Sequence, residues 1–462
     1  YLGTGELRFP EPAPASEEAV EQAAARLKAA GRKGCLFLGG EALIADHGAL
    51  QNLGRCAAAT GATMLMENAF ARADRGADLP SVARIPYFPR DAKRALDRFD
   101  FILLVGARKP VALFGYEDGP SQLIGERSGQ GVVSLEDPDV PALTKRLMGR
   151  LNASATPFKT PAPVKRPEAT GPLDATKLCA VIANLQPENA IIVDEALTSS
   201  TNYESFSATC PRFSHLALTG GAIGFGPPSA LGAAIACPDR RVINFQADGS
   251  GLYSVQALWS QAQEEADVVT IVCRNEQYNI LKVELDVQKI GPDRRGSNTR
   301  KMCGVGGVDW VAVARGFGVP STRVTTAEEL TAELAEALKR KGPTLIEAML
   351  VPGLEHVPCA LTYDEPAPAP APAPAPEPEP APTPPRPTGV DTGTMTGEDA
   401  PPEDLFKDYQ DPEEVGELPS GLDQIASGVL EQGKEVIRAT SFNSFFRDLN
   451  FKMPDLNWDD DE

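Results

Sequence analysis

The chain has 462 residues, 42% of them hydrophobic, with a mean hydropathy of −0.21, enough for roughly two to four domains with sizeable cores. No uninterrupted apolar run approaches the roughly 18 residues that a membrane-spanning helix needs, so a membrane protein is not expected. The net charge of −20 is placed unevenly: from Tyr363 to Glu462 there are 23 acidic against 6 basic residues, a net of −17, and without basic clusters to meet phosphates a nucleic-acid role has no support.

The chain opens Tyr1-Leu2-Gly3-Thr4, with neither an initiator Met nor a charged-then-apolar signal segment, so a processed chain or one cut from something longer is expected. Residues 16–30 read as a helix, with Ser16 as N-cap, glutamates in the first turn and Gly31 as the stop. Cys35–Leu38 is a short buried strand running into Gly39-Gly40, and a helical stretch follows through Ala59. Thr63–Met66 is a second strand. Phe101–Val105, continuous and apolar and ending in Gly106, has the pattern of a parallel strand covered on both faces. Residues 1–155 are thus expected to form one α/β domain.

A Pro/Ala/Lys-rich stretch at 156–172 reads as a linker. Alternation then resumes over 173–352: a helix from Ala175, strand Ala190–Val193, a helix from Gly226, strand Val242–Phe245, helix Ser254–Glu264 and strand Val268–Cys273. Helices Trp310–Phe317 and Ala327–Arg340 and strand Thr344–Ala348 close it. Alternating strands and helices imply a second doubly wound parallel sheet, in which ligands bind at the C-terminal ends of strands. The Pro-Ala and Pro-Glu run inside 353–404 is expected to be an extended, semi-rigid tether. The acidic segment 405–462 holds two short helical patterns, one with Leu422, Ile425, Val429 and Val436, the other with Phe442, Phe445, Phe446 and Leu449. These fit either a helix that docks a protein partner or a solubilising extension.

Eight cysteines (Cys35, Cys56, Cys179, Cys210, Cys237, Cys273, Cys303, Cys359) are scattered, without a C-x-x-C pair or a histidine at metal spacing. Buried thiols in a reducing compartment, the cytoplasm or an organelle matrix or stroma, are expected.

The segment that carries chemistry is Gln246-Ala247-Asp248-Gly249-Ser250-Gly251, between a strand and a helix. A carboxylate at a strand end can supply a hard oxygen to magnesium, while small residues let backbone N–H groups approach phosphate oxygens at the following helix N-terminus. Alone, the segment could equally be an ordinary strand-to-helix turn. Asn275, 27 residues after Asp248 and at the end of the next buried strand, changes the weighing. One βαβ unit returns the chain to the neighbouring strand end, so the Asn275 amide oxygen and the Gln277 carbonyl can complete coordination of the same ion. Upstream, Thr219–Pro228 is glycine-rich with one large aliphatic residue, Ile223. It reads as a close-approach loop with a prop, or as a plain glycine loop around a buried Ile.

Together these residues resemble the thiamine-diphosphate enzymes, specifically the branch of benzoylformate decarboxylase and the acetolactate synthase large subunit, over residues 5–352. The resemblance implies two doubly wound domains, a Rossmann-like central domain and a thiamine-diphosphate-binding domain. It also implies bound thiamine diphosphate and Mg2+. Asp248, Asn275 and the Gln277 carbonyl match the magnesium ligands. Gly249 and Ser250 match diphosphate contacts, Gly221 lies in the cofactor loop, and Ile223 matches the aliphatic residue that holds the cofactor bent. Two positions depart from the pattern: Ala247 stands for a Gly, narrowing the room for the diphosphate, and Arg274 for the first Asn of a pair. Asn279 stands where a Gly is frequent.

The implied function is decarboxylation of a pyruvate-like 2-oxo acid and carboligation to a second one, as in acetolactate synthase. The alternatives are a benzoylformate-decarboxylase-like reaction and a catalytically inactive scaffold with a partner-binding tail. The family's catalytic glutamate belongs to a pyrimidine-binding domain that the resemblance does not reach, so the isolated chain is expected to be incomplete for catalysis. A homodimer or tetramer is implied. FAD, which the central domain of some relatives carries, is not expected, since no G-x-G-x-x-G is present. His215 is a candidate proton shuttle or a core histidine. Glu195 is a residue lining the cofactor channel or a cap for Thr198–Ser200.

Overall fold

The computed structural model describes residues 13–351, apart from 117–118, 126 and 291–295. The tether in 353–404, the segment 405–462 with its two helical patterns, and Cys359 lie outside the described residues.

Local signals set the elements. The Ser16 side chain accepts the Ala19 N–H and starts helix Glu17–Ala30, whose buried Val20, Ala23, Ala24 and Leu27 form one stripe. Gly31, at φ +54°, ends it. The continuous apolar runs become strands closed on both faces. In chain order the strands are β1 Gly34–Leu38, β2 Thr63–Met66, β3 Arg72–Arg75, β4 Ala83–Arg84, β5 Phe101–Val105, β6 Gly131–Leu135, β7 Ile191–Glu195, β8 Phe213–Ala217, β9 Val242–Ala247, β10 Val268–Arg274, β11 Ser321–Val324 and β12 Thr344–Met349.

They make two sheets. The first, in the order β4-β2-β1-β5-β6, is wholly parallel. Helices Glu17–Ala30, Ala49–Thr60 and Val140–Arg150 cover one face through Val20, Leu53 and Leu143; helix Pro89–Leu96 covers the other through Ala92 and Leu96. The second sheet runs β11-β12-β10-β9-β7-β8-β3 and is parallel apart from β3. Helices Ala175–Leu185 and Ala327–Ala337 pack on one of its faces, Gly226–Ala236 on the other. The chain is therefore α/β with two doubly wound parallel sheets.

One strand crosses the expected division at residue 155. β3 leaves the first half to pair antiparallel with β8. The buried Asp74 fastens this junction: its Oδ1 accepts the Ser214 hydroxyl at 2.7 Å and its Oδ2 the Ala45 N–H at 2.9 Å. Arg75 donates to the Glu204 carbonyl at 2.6 Å. Residues 156–170 carry no helix or strand, and the helix predicted from Ser254 begins at Ala257, after a short turn at Leu252–Ser254.

From β7 the chain passes to β8 on one side and then returns to β9 on the other. The crossovers diverge there, which opens a crevice at the C-terminal ends of β7 and β9. Glu195 ends β7, and Asp248 follows β9 directly.

Candidate functional site

Asp248, at the C-terminal end of β9, is buried. Its Oδ1 accepts the Gly249 N–H at 2.8 Å, and its Oδ2 accepts the N–H groups of Asn275 at 3.1 Å and Glu276 at 2.7 Å. Glu276 adopts φ +60°, a left-handed turn that aims these two donors back at the neighbouring strand end. Burial pushes the Asp248 carboxyl up to about 6, against the pull of the three N–H donors. The Arg274 charge pulls the same way as these donors, and burial outweighs them together.

Asn275 Oδ1 accepts the Gln277 N–H at 3.1 Å, and the Gln277 carbonyl accepts the Asn279 N–H at 3.0 Å. The structure brings Asp248, Asn275 and Gln277 to adjacent strand ends, since β9 and β10 pair in register through Cys273 and Ala247. Among the described residues no group of three or more His, Cys, Asp or Glu gathers as a metal cage. A cation here would therefore rest on one carboxylate plus amide and carbonyl oxygens, a hard-oxygen set that suits magnesium better than zinc.

Gly249 and Ser250 begin a short helical turn, Asp248–Gly251, that is buried throughout. The Tyr278 ring lies over Gly249 so closely that a Cβ there would sit 2.3 Å from Cε1. The Ser250 hydroxyl accepts from Gln246 Nε2 at 2.8 Å, and Gln246 Oε1 has no partner although buried.

The glycine loop is held by Glu195. This fully buried carboxylate accepts the Gly224 N–H through Oε1 and the Gly226 N–H through Oε2, both at 2.5 Å. It grips the loop and caps nothing at Thr198–Ser200. Burial raises its pKa and the two N–H donors oppose that rise. Gly220, Gly221 and Gly224 all have positive φ, and Ile223, 40% exposed at the loop tip, projects from a backbone that only glycines could shape. A Cβ on Gly221 would meet Leu113 at 3.4 Å and Phe114 at 3.7 Å, so an apolar pair from the first half borders the loop.

His215 is a core residue. It is buried among the Phe70, Tyr203 and Phe213 rings, with Nε2 3.4 Å from Asp194 Oδ2 and Nδ1 3.4 Å from Arg75. Burial lowers its pKa. Packed in this way it cannot carry protons to the crevice.

Sequence reasoning missed three features of the site: the grip of Glu195 on two loop amides, the Tyr278 ring over Gly249, and the pairing of Arg274 with Glu347. Only the last left a signal, because a Glu in the middle of an apolar strand demands a cation.

Residues 199–348 match the family model "Thiamine pyrophosphate enzyme, C-terminal TPP binding domain". The chain is similar to a Mycobacterium tuberculosis protein provisionally named acetolactate synthase large subunit IlvX, 38% identical over 330 residues, which cover 70% of this chain and 62% of that one. It is also similar to the benzoylformate decarboxylase of Pseudomonas aeruginosa, 32% identical over 295 residues, 58% of this chain and 54% of the relative. Among solved structures, the thiamine diphosphate-dependent 4-hydroxybenzoylformate decarboxylase of Rhodococcus jostii superposes with a TM-score of 0.59 at 27% identity, over 74% of this chain and 66% of that one. The chain thus spans less than two thirds of the length of these relatives.

Proposed function

We propose that this chain, whose residues 199–348 match the thiamine pyrophosphate enzyme C-terminal TPP binding domain, binds thiamine diphosphate with Mg2+ and serves the decarboxylation and carboligation of 2-oxo acids in the manner of an acetolactate synthase large subunit. The observation that carries this reading is the buried Asp248 carboxylate at one strand end, hydrogen-bonded to the Asn275 and Glu276 amides at the next. Asp248, the Asn275 side-chain oxygen and the Gln277 carbonyl would hold the ion. Gly249 and Ser250 would lie beside the diphosphate, with the Ser250 amide facing it while the Gly249 N–H stays on Asp248. Gly221 lets the loop backbone approach, and Ile223 supplies the apolar prop. When bound, thiamine diphosphate supplies the nucleophilic carbon and the electron sink for decarboxylation. The chain's own part is to anchor, bend and shield.

The relatives' names support a 2-oxo acid substrate, and the likeness to an acetolactate synthase large subunit supports a pyruvate-like one. The apolar pair Leu113 and Phe114 beside Gly221 favours a second reading, an aryl 2-oxo acid decarboxylase. In an assembly that includes a pyrimidine-binding domain, release of carbon dioxide from pyruvate against benzoylformate would separate the two. The anchoring itself is tested by calorimetric titration of thiamine diphosphate into the chain with and without magnesium. Magnesium-dependent binding that disappears in Asp248→Ala is expected; binding indifferent to both would overturn the assignment.

A further inference from the structure

Arg274 stands at the end of β10, immediately before the turn that faces Asp248. Its guanidinium bridges two carboxylates: Nη1 lies 2.6 Å from Glu347 Oε1, and Nη2 lies 2.7 Å from Glu276 Oε1. Glu347, in β12, is fully buried, and its other oxygen pairs with Arg323 Nε at 2.6 Å. Arg323 is tied in turn to Asp309 at 2.8 Å. One end of the Arg274 fork is thus fixed in the sheet. The other end holds the side chain of Glu276, the residue with φ +60° whose N–H reaches Asp248 Oδ2 at 2.7 Å.

A non-glycine residue in the left-handed region is strained by itself and stays there only when its surroundings over-determine it. The surroundings here are the Arg274 fork on the side chain, the Asp248 carboxylate on the amide and the Val305 N–H, which donates to the Glu276 carbonyl at 2.9 Å. A lysine could reach either carboxylate, but a single ammonium lacks the planar fork that joins both.

We propose that Arg274, anchored by Glu347, is a positioning residue that clamps Glu276 and thereby sets the 275–277 turn, so that Asp248, Asn275 and the Gln277 carbonyl face one ion. This rests on the reading that these residues hold a magnesium bound to a diphosphate. The chain uses a cation fork where the resembled pattern has an amide side chain, and that fork explains the buried Glu347.

The test compares Arg274→Gln, Arg274→Lys and Glu276→Gln with the native chain in two measurements. The first is the magnesium concentration that half-saturates thiamine diphosphate binding, followed by calorimetry, beside the ligand-free melting temperature. Arg274→Gln should raise the half-saturating magnesium about tenfold, and Arg274→Lys should recover part of that. Glu276 is half exposed, so Glu276→Gln should raise it several-fold with the melting temperature unchanged. A purely structural role would lower melting temperatures and leave the magnesium requirement of the folded variants alone; that result overturns the clamp. The second measurement is hydrogen exchange of the Asn275 and Glu276 amides without any ligand. They should exchange at least tenfold faster in Arg274→Gln while β9 and β10 stay protected. If the native chain bound no thiamine diphosphate, the anchoring assignment would fail and exchange alone would decide the clamp, with unchanged protection refuting it.

Discussion

Glu195 Oε2 accepts the Gly226 N–H at 2.5 Å, and the space beside this bond is closed: a Cβ on Gly226 would lie 2.0 Å from Gln246 Oε1 and 2.9 Å from both Asn244 Oδ1 and Glu195 Oε2. The end of β7 and the start of helix Gly226–Ala236 therefore meet at a point where only glycine fits. With the Gly224 bond, this contact ties the glycine loop to the C-terminal end of β7.

The first prediction follows from that contact. Glu195→Gln turns an amide NH2 toward one of two backbone donors and leaves a buried N–H unpaired, which costs about 1–3 kcal/mol. Gly226→Ala forces backbone or Gln246 to shift and should cost about 3 kcal/mol. Urea unfolding midpoints measure both. Near-native midpoints for the two variants would mean that the loop is held from elsewhere.

Asp248 gives a pH signature. Its carboxyl is raised in the folded chain to about 6 from an ordinary 3.8, so the folded state binds the proton more tightly than the unfolded one. Its contribution to stability is greatest below pH 3.8 and is lost as pH rises through 3.8 to about 6. His215 acts oppositely: its pKa is lowered from 6.5 by burial, so its contribution is present above that value and fades as pH falls below it. Melting curves of the native chain and Asp248→Asn, subtracted at each pH, remove the His215 term. The difference should change across pH 4–6 and be flat above pH 7. A magnesium ion on Asp248, as proposed, would compete with the same proton, so magnesium affinity should fall up to tenfold for each pH unit below about 6.

Gly249 and Tyr278 make a coupled pair. Gly249→Ala drives a Cβ into the Tyr278 ring at 2.3 Å and should cost about 1–3 kcal/mol. In a Tyr278→Ala background the same change meets empty space and should cost less than about 1 kcal/mol, a non-additivity that a double-mutant cycle reads directly. Additive costs would remove the ring from the argument.

What was legible in the sequence is what local patterns carry. The apolar runs at 35–38, 101–105 and 268–273 announced buried strands, found at Gly34–Leu38, Phe101–Val105 and Val268–Arg274, because a parallel strand under two helix layers has no polar side to show. The spacing of Asp248 and Asn275 followed from one βαβ unit, and the chain does return to the adjacent strand. β3 was invisible: Arg-Ala-Asp-Arg carries no apolar alternation, and its place is set by partners in β8 some 140 residues away, such as Ser214 for Asp74. The role of Arg274 was hidden in part: Glu347 in an apolar strand signals that a cation must meet it, but not that this cation is Arg274, 73 residues distant in sequence. A cation substituting for an amide reads as a departure until its carboxylates are located in space.

The last prediction concerns that crossing strand. Asp74 is buried, and its carboxylate accepts from the Ala45 amide, from Ser214 and from Arg72, thereby joining residues of both sheets. Asp74→Ala leaves a buried hydroxyl and a buried amide without their acceptor and should cost about 2–4 kcal/mol. The loss also falls on the contact that makes the two sheets unfold together. β3 adds only four residues to the second sheet, so once Asp74 no longer anchors them the strand has few other bonds to hold it. In a chain with Trp259 and Trp458 replaced by Phe, guanidinium unfolding followed separately by fluorescence of Trp310, in the second sheet's core, and by far-UV circular dichroism should coincide, and should separate once Asp74→Ala is added. A single coincident transition in the variant would show that the remaining contacts around Arg75 and Glu204 suffice to couple the sheets.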